Sequence, residues 1–237
     1  MTEDGSPDHA LRLSEVSFAW PGRMPFSLDV ADFAVRPGET VFLAGASGSG
    51  KSTLLSLIAG ITNARKGRVE VDGRDLGRMA GPRRDRFRAD RIGIIFQMFN
   101  LLPYATGLEN ILLPLAFAPE RKARLDDPKA AALDLAEGLG LTSDLLTLAQ
   151  AHTLSIGQQQ RVAAARALIG GPQLVIADEP TSALDAETQL AFIDLLLARV
   201  AAAGATLLMV SHDERLKGRF DRALRLEDVA VTRKAGR

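Results

Sequence analysis

Nine consecutive residues constrain this chain more than any other stretch: Gly45-Ala46-Ser47-Gly48-Ser49-Gly50-Lys51-Ser52-Thr53. They follow an apolar run at 41–44, with the length and composition of a buried strand, and lead into an apolar segment at 54–60 that reads as a packed helix. A G-x-x-x-x-G-K-S pattern between a strand and a helix is a phosphate cradle. Glycines allow backbone conformations closed to other residues, so successive N–H groups can curl around a phosphate while the helix adds its positive N-terminal end. Lys51 supplies a mobile point charge for β- and γ-phosphates, and the Ser52 hydroxyl is a hard oxygen ligand suited to Mg²⁺.

The whole chain narrows the setting of that cradle. At 237 residues it can bury a full core, and one domain with a subdomain is expected. Lys plus Arg and Asp plus Glu both total 29, so no global field draws the chain to nucleic acid or an anionic surface. The absence of cysteine excludes disulfides and thiolate metal sites. The acidic start at 1–8 lacks the apolar centre of a signal peptide, and residues 1–10 are expected to form a flexible tail. Apolar stretches at 111–118 and 201–210 are broken by Pro114 and Gly204, well short of the ~18–20 residues of a spanning helix.

Along the chain, the alternation of Leu11, Leu13, Val16, Phe18 and Trp20 predicts a strand ending at a Pro21-Gly22 turn, and Phe26, Leu28 and Val30 continue it in a second. Trp20 beside that turn is either a ring free to stack on a purine or a core aromatic. A short strand with an Asp72-Gly73 turn follows the first helix. Residues 78–91 hold six arginines against two aspartates, the pattern of a solvated helix face, with a polyanion contact as the sharper alternative. A buried strand at 92–96 ends at Gln97.

Between 98 and 168 strand-like runs give way to segments at 108–117, 128–139 and 158–169 with helical spacing, which reads as an inserted helical subdomain. Asp127-Pro128 supplies a cap for the middle one. Buried strands return at 174–177, followed at once by Asp178-Glu179, and at 206–210, ending at Ser211-His212. The segment 222–226 reads as a final strand, and 229–237 as a basic, mobile tail. The fold class is therefore α/β, a parallel sheet with helices on both faces.

A carboxylate at the C-terminal edge of a parallel strand is where an open α/β sheet meets its ligand. Asp178 would serve a metal, and Glu179 would act as general base or position water, with His212 close by. Each residue has a plainer alternative. A carboxylate pair after a strand can cap the next turn, and a lone histidine can satisfy a core hydrogen bond.

Leu154-Ser155-Ile156-Gly157-Gln158, followed by Gln159-Gln160-Arg161-Val162-Ala163-Ala164-Ala165-Arg166-Ala167, resembles the LSxGQ signature of ABC (ATP-binding cassette) transporter nucleotide-binding subunits. The resemblance spans roughly 11–228 and implies a P-loop core with an antiparallel β subdomain and the helical subdomain at 98–168. It implies ATP and Mg²⁺ as cofactors, and it assigns further residues. Gln97 matches the Q-loop glutamine, Ser182-Ala183-Leu184-Asp185 the D-loop, His212 the switch histidine and Trp20 the aromatic that stacks on adenine. The metal set is then Ser52, Gln97 and Asp178, and the catalytic set Glu179, His212, Lys51 and Gln97. Nucleotide contacts fall to Trp20, Gly45, Ser47, Gly48, Ser49, Gly50, Lys51, Ser52, Thr53, Gln97, Asp178 and Asp185 and, from a second copy, Ser155, Gly157 and Gln158. Ile156 departs from the usual LSGGQ, while Ser155 and Gly157 are retained.

The stretch 92–115 is similar to the MacB, LolD and FtsE-like branch of that family. This similarity implies an ATP-dependent head-to-tail dimer at the cytoplasmic face of the inner membrane, held there by a permease of the MacB or FtsX type that docks near 98–109. The alternative is an FtsE-like regulatory ATPase that steers an envelope or division machine without transport. A nucleic-acid partner is not expected: the charge is balanced and no long heptad insertion is present.

Overall fold

The computed structural model of the chain describes residues 8–20 and 26–234. It opens with β1 (Leu11–Trp20) and β2 (Phe26–Val35), paired antiparallel from Leu11↔Val35 to Trp20↔Phe26. β3 (Thr40–Ala44) leads through the glycine-rich loop to α1 (Lys51–Ile58). A hairpin of β4 (Lys66–Val71) and β5 (Arg74–Asp75) turns at Asp72 and Gly73, with φ of 50° and 69°, the left-handed pair that a two-residue hairpin turn demands. α2 (Gly81–Arg91) buries Phe87 and Asp90 and exposes Arg83 and Arg86, the solvated face expected of it, before β6 (Ile92–Ile95).

Helices fill the next stretch: α3 (Gly107–Leu112), α4 (Pro119–Lys122), α5 (Pro128–Glu137), α6 (Ser143–Leu148) and α7 (Ile156–Leu168). Local chemistry sets their starts. Thr106 and Glu109 form a capping box on α3, and Asp127 accepts from the N–H groups of Lys129 and Ala130 on α5. β7 (Leu174–Asp178), α8 (Ala186–Ala202) and β8 (Thr206–Ser211) follow, then β9 (Arg222–Arg225), the single turn α9 (Leu226–Val229) and β10 (Val231–Lys234).

The strands sort into an antiparallel sheet, β10-β2-β1-β4-β5, and a parallel one, β6-β7-β8-β3-β9. The central parallel strands are apolar throughout because both faces are covered. Alternate residues serve different cores. Val41, Leu43, Leu174, Ile176, Leu208 and Val210 pack with α1 and the antiparallel sheet, while Phe42, Ala44, Val175, Ala177, Leu207 and Met209 pack with α3, α5, α7 and α8. The sheet is thus a partition between two apolar layers, and its carboxyl edge is held rigidly from both sides.

Arg121 ties α4 to the end of α7 and to α2. It is 2% exposed, and its guanidinium donates to the carbonyls of Ile169 (2.7 Å from Nε), Ala167 (2.8 Å) and Ala89 (3.3 Å). Burial lowers its pKa to about 10, so it remains charged at neutral pH.

Three expectations need correction. Ala10 is already buried, with its N–H on Val35 O, so the sheet begins inside the stretch assigned to the N-terminal tail; residues 1–7 of that tail and the Pro21-Gly22 turn lie outside the described residues. The strand at 222 stops at Arg225, because Leu226 starts a helical turn and its side chain enters the core. The basic C-terminal segment is not loose throughout: β10 pairs with β2 from Val231↔Asp29 to Lys234↔Phe26, and Arg233 meets Asp29 at 3.1 Å. The basic residues of this segment hid a strand in which Arg233 points at an acidic neighbour. Residues 235–237 lie outside the described residues.

Candidate nucleotide site

β3, β8 and β7 are adjacent in the parallel sheet, so the loops leaving their carboxyl ends converge. From β3 comes the glycine-rich loop, from β7 Asp178-Glu179, and from β8 Ser211-His212. Together they border a cleft of about 430 Å³, lined by Ser47, Gly48, Gly50, Lys51, Ser52, Thr53, Gln97, Asp178, Glu179 and His212, all singled out from sequence. Phe26 completes the lining, and its signal was only the alternation of an ordinary strand.

The loop geometry explains its glycines. Gly50, the residue before α1, has φ of 113°, and a Cβ there would stand 2.7 Å from the Phe26 ring. At Gly45 a Cβ would fit only tightly, 3.0 Å from Ser49 Oγ and 3.2 Å from Lys51 Cδ, so those side chains would have to give way. α1 begins with no side-chain cap and no acidic residue in its first turn, which leaves its N–H groups and positive dipole end for an anion. Ser49 Oγ is buried without a hydrogen-bond partner, a further polar group awaiting an acceptor or donor.

Charge is tightly paired inside the cleft. Lys51, 7% exposed, donates to Gly45 O (2.5 Å) and Ala46 O (3.1 Å) and lies 3.2 Å from Glu179 Oε1. The other oxygen of Glu179 accepts from Ser211 Oγ (3.2 Å), from the His212 N–H (3.3 Å) and from His212 Nδ1 (2.8 Å). A carboxylate only accepts, so the His212 proton sits on Nδ1 and Nε2 is left uncommitted. Glu179 holds φ of 47°, unusual for a residue with a Cβ and a mark of backbone held by its surroundings.

Ser52 Oγ donates to Asp178 Oδ2 at 2.9 Å, and burial pushes the Asp178 carboxyl above the usual carboxylate range. A hydroxyl, a carboxylate and the nearby Gln97 amide are hard oxygen donors, the set a magnesium ion takes when phosphate oxygens supply the rest. Among the described residues no cluster of three or more His, Cys, Asp or Glu is placed to hold a metal unaided.

The remaining candidates lie outside the cleft. Trp20 stands beside it, 44% exposed, edge-to-face with Phe18 at 4.9 Å, its indole N–H on Thr53 Oγ1 at 3.3 Å. Ser155 and Gln158 cap α7 reciprocally: Ser155 N–H donates to Gln158 Oε1 (2.9 Å) and Gln158 N–H to Ser155 Oγ (3.3 Å). Gly157 lies in the first turn of that helix beside an exposed Ile156. Asp185 caps α8 through the Thr188 N–H at 3.0 Å, which lowers its pKa. Sequence reasoning also missed Arg166, which reaches from α7 to the carbonyls of Phe99 and Asn100 and so fixes the turn after Gln97.

A phosphate loop, a strand-end carboxylate pair and a histidine at the edge of a parallel sheet define a P-loop nucleotide-binding protein. The family model described as ABC transporter matches residues 28–182. The chain is 43% identical over 195 residues to the Escherichia coli (strain K12) "Uncharacterized ABC transporter ATP-binding protein YbbA", covering 82% of this chain and 83% of that one. It is 38% identical over 223 residues to the "Lipoprotein-releasing system ATP-binding protein LolD" of Novosphingobium aromaticivorans, covering 93% and 97%. Among solved structures it superposes with a TM-score of 0.80, at 33% identity, on a dimeric post-hydrolysis state of the ATP-binding cassette MJ0796 bound to ADP and Pi, covering 96% and 99% of the chains. The chain belongs to the ABC transporter family, as an ATP-binding subunit that hydrolyses ATP.

Proposed function

We propose that two copies of this chain close head to tail around ATP and, on hydrolysis, drive a membrane permease of the MacB or FtsX type. One observation carries the dimer. The cleft that gathers Lys51, Asp178, Glu179 and His212 contains none of the signature residues, and Ile156 at the start of the signature helix is 53% exposed. The N-terminus of α7, where Ser155 and Gln158 cap each other within the single chain, therefore faces outward and would meet a second copy's nucleotide by exchanging that cap for phosphate. ATP would favour closure because its γ-phosphate reaches that site, and ADP lacks the group.

Within the cleft, Lys51 and the loop N–H groups hold the phosphates, and Trp20 with Phe26 offers aromatic surface to the base. Mg²⁺, when bound, would neutralise charge on the phosphate oxygens; Ser52, Gln97 and Asp178 are the residues to hold it. Glu179 accepts a proton from, or orients, the attacking water once Lys51 has turned to phosphate, and His212 keeps that carboxylate aimed.

No helix among the described residues is long and apolar enough to cross a membrane, so the permease is a separate chain or segment that would hold this one at the cytoplasmic face of the inner membrane. The likeness to a lipoprotein-releasing subunit supports a role in moving lipidated or other amphipathic molecules. The test is Glu179→Gln: ATP binding is retained, phosphate release falls to a slow residual rate, and a dimer accumulates with ATP on a sizing column. Turnover at the wild-type rate overturns the reading.

A further inference from the structure

We infer that Gln160, on the signature helix, is a positioning residue for Glu179 of the same chain. The three consecutive glutamines of α7 do different work. Gln158 caps its own helix and Gln159 Nε2 donates to Leu154 O at 2.9 Å, whereas Gln160 is wholly buried and its Nε2 donates to Pro180 O, one residue beyond Glu179. Gln160 Oε1 has no hydrogen-bond partner among the described residues. Turning the amide over would set oxygen against the Pro180 carbonyl, so the donor orientation is fixed and the orphaned oxygen is its cost.

The contact acts on a strained backbone. Glu179 sits at φ 47°, a conformation that persists only where its neighbours over-determine it. Before it, its N–H is fixed to Val210 O at 2.9 Å. After it, the segment from Pro180 to Leu184 is gripped from two helices. Gln160 holds Pro180 O from α7, and Gln189 of α8, 9% exposed, donates to Thr181 O (3.0 Å) and Leu184 O (3.1 Å). Arg215 then approaches Gln189 Oε1 at 3.4 Å.

Ser155 and Gln160 share one rigid helix, so a displacement at the signature end reaches the Glu179 backbone directly. In the dimer proposed above, on which this inference rests, nucleotide bound at one chain's signature would adjust the base that the same chain presents to the other nucleotide.

The experiment compares Gln160→Met, which keeps volume and loses the donor, with the full-length wild type, alone and in a Glu179→Gln background. The inference predicts a fall in kcat of at least tenfold, KM for ATP within twofold of wild type, and a single-turnover rate in E179Q unchanged within twofold by adding Q160M, because the clamp acts only through Glu179. A kcat within twofold of wild type, or an equal loss in the E179Q background, overturns it. If Q160M does not fold, Gln189→Met removes the other jaw and must give the same pattern; its failure to do so has the same force. Wild-type turnover by E179Q alone would sink the reading of Glu179 and the clamp with it, whereas an inactive E179Q beside a wild-type Q160M sinks the clamp alone.

Discussion

Lys51 Nζ lies 3.2 Å from Glu179 Oε1, and neither residue is more than 7% exposed, so the cation proposed to hold phosphate is also the counter-ion of the proposed base. Phosphate entering the cleft competes with Glu179 for that charge. In the proposed mechanism, binding would therefore free the carboxylate at the moment it is needed.

The pairing makes Lys51→Met costly to the fold as well as to nucleotide binding. Removing one member of a buried pair leaves the other charge uncompensated, typically at about 3 kcal/mol. Urea unfolding should show K51M destabilised by roughly that amount, and the double variant K51M/E179Q should recover most of it, since a neutral glutamine needs no counter-ion. Equal stability of K51M and wild type would show that the pair carries no such energy.

Asp178 gives a pH signature. Burial raises its pKa, the charge of Glu179 adds to this, and the Ser52 hydroxyl and Lys51 oppose it. The folded chain then holds a proton where the unfolded chain has lost it. The stability contribution is full below the ordinary aspartate value of ~3.9 and is lost as pH rises through the folded value. Asp178→Asn should therefore unfold at higher temperature than wild type at pH 7, with the difference shrinking in acid, while Mg²⁺-dependent ATP binding is lost. Thermal melts across pH, without nucleotide, check the sign.

The single tryptophan is placed to report on the proposed base site. Its tether to Thr53 and the register partner Phe26 put two aromatic residues at the mouth of the cleft. ATP and ADP should change Trp20 fluorescence alike, because both carry the base. Trp20→Ala should weaken binding of either by about tenfold, within the ~1–3 kcal/mol typical of base stacking. An unaltered affinity would place the base elsewhere.

Much of this was readable in the residues themselves. The alternating core of β3, β7 and β8 follows from continuous apolar runs, and the cleft follows from where those runs stop: at Gly45, Asp178 and Ser211. What escaped was set by contacts between distant segments. β10 was hidden because its partner strand β2, including Asp29 opposite Val231, lies about two hundred residues away. Phe26 carries no local sign that its ring will rest on Gly50. Gln160 and Arg166 look like polar positions on a helix, yet each reaches a backbone carbonyl in a loop from another strand. α4 and α6 are too short for a periodic signal.

The chain contains no cysteine, so one introduced pair gives an unambiguous reading of how two copies meet. In the E179Q background, with Ser47→Cys in the phosphate loop and Ile156→Cys in the signature, a mixture of the two single-cysteine chains should cross-link into dimers with ATP and Mg²⁺ and not with ADP. Cross-linking that ignores the nucleotide, or none under conditions where ATP is bound, would contradict the claim that the terminal phosphate is clamped between the cradle of one chain and the signature of the other.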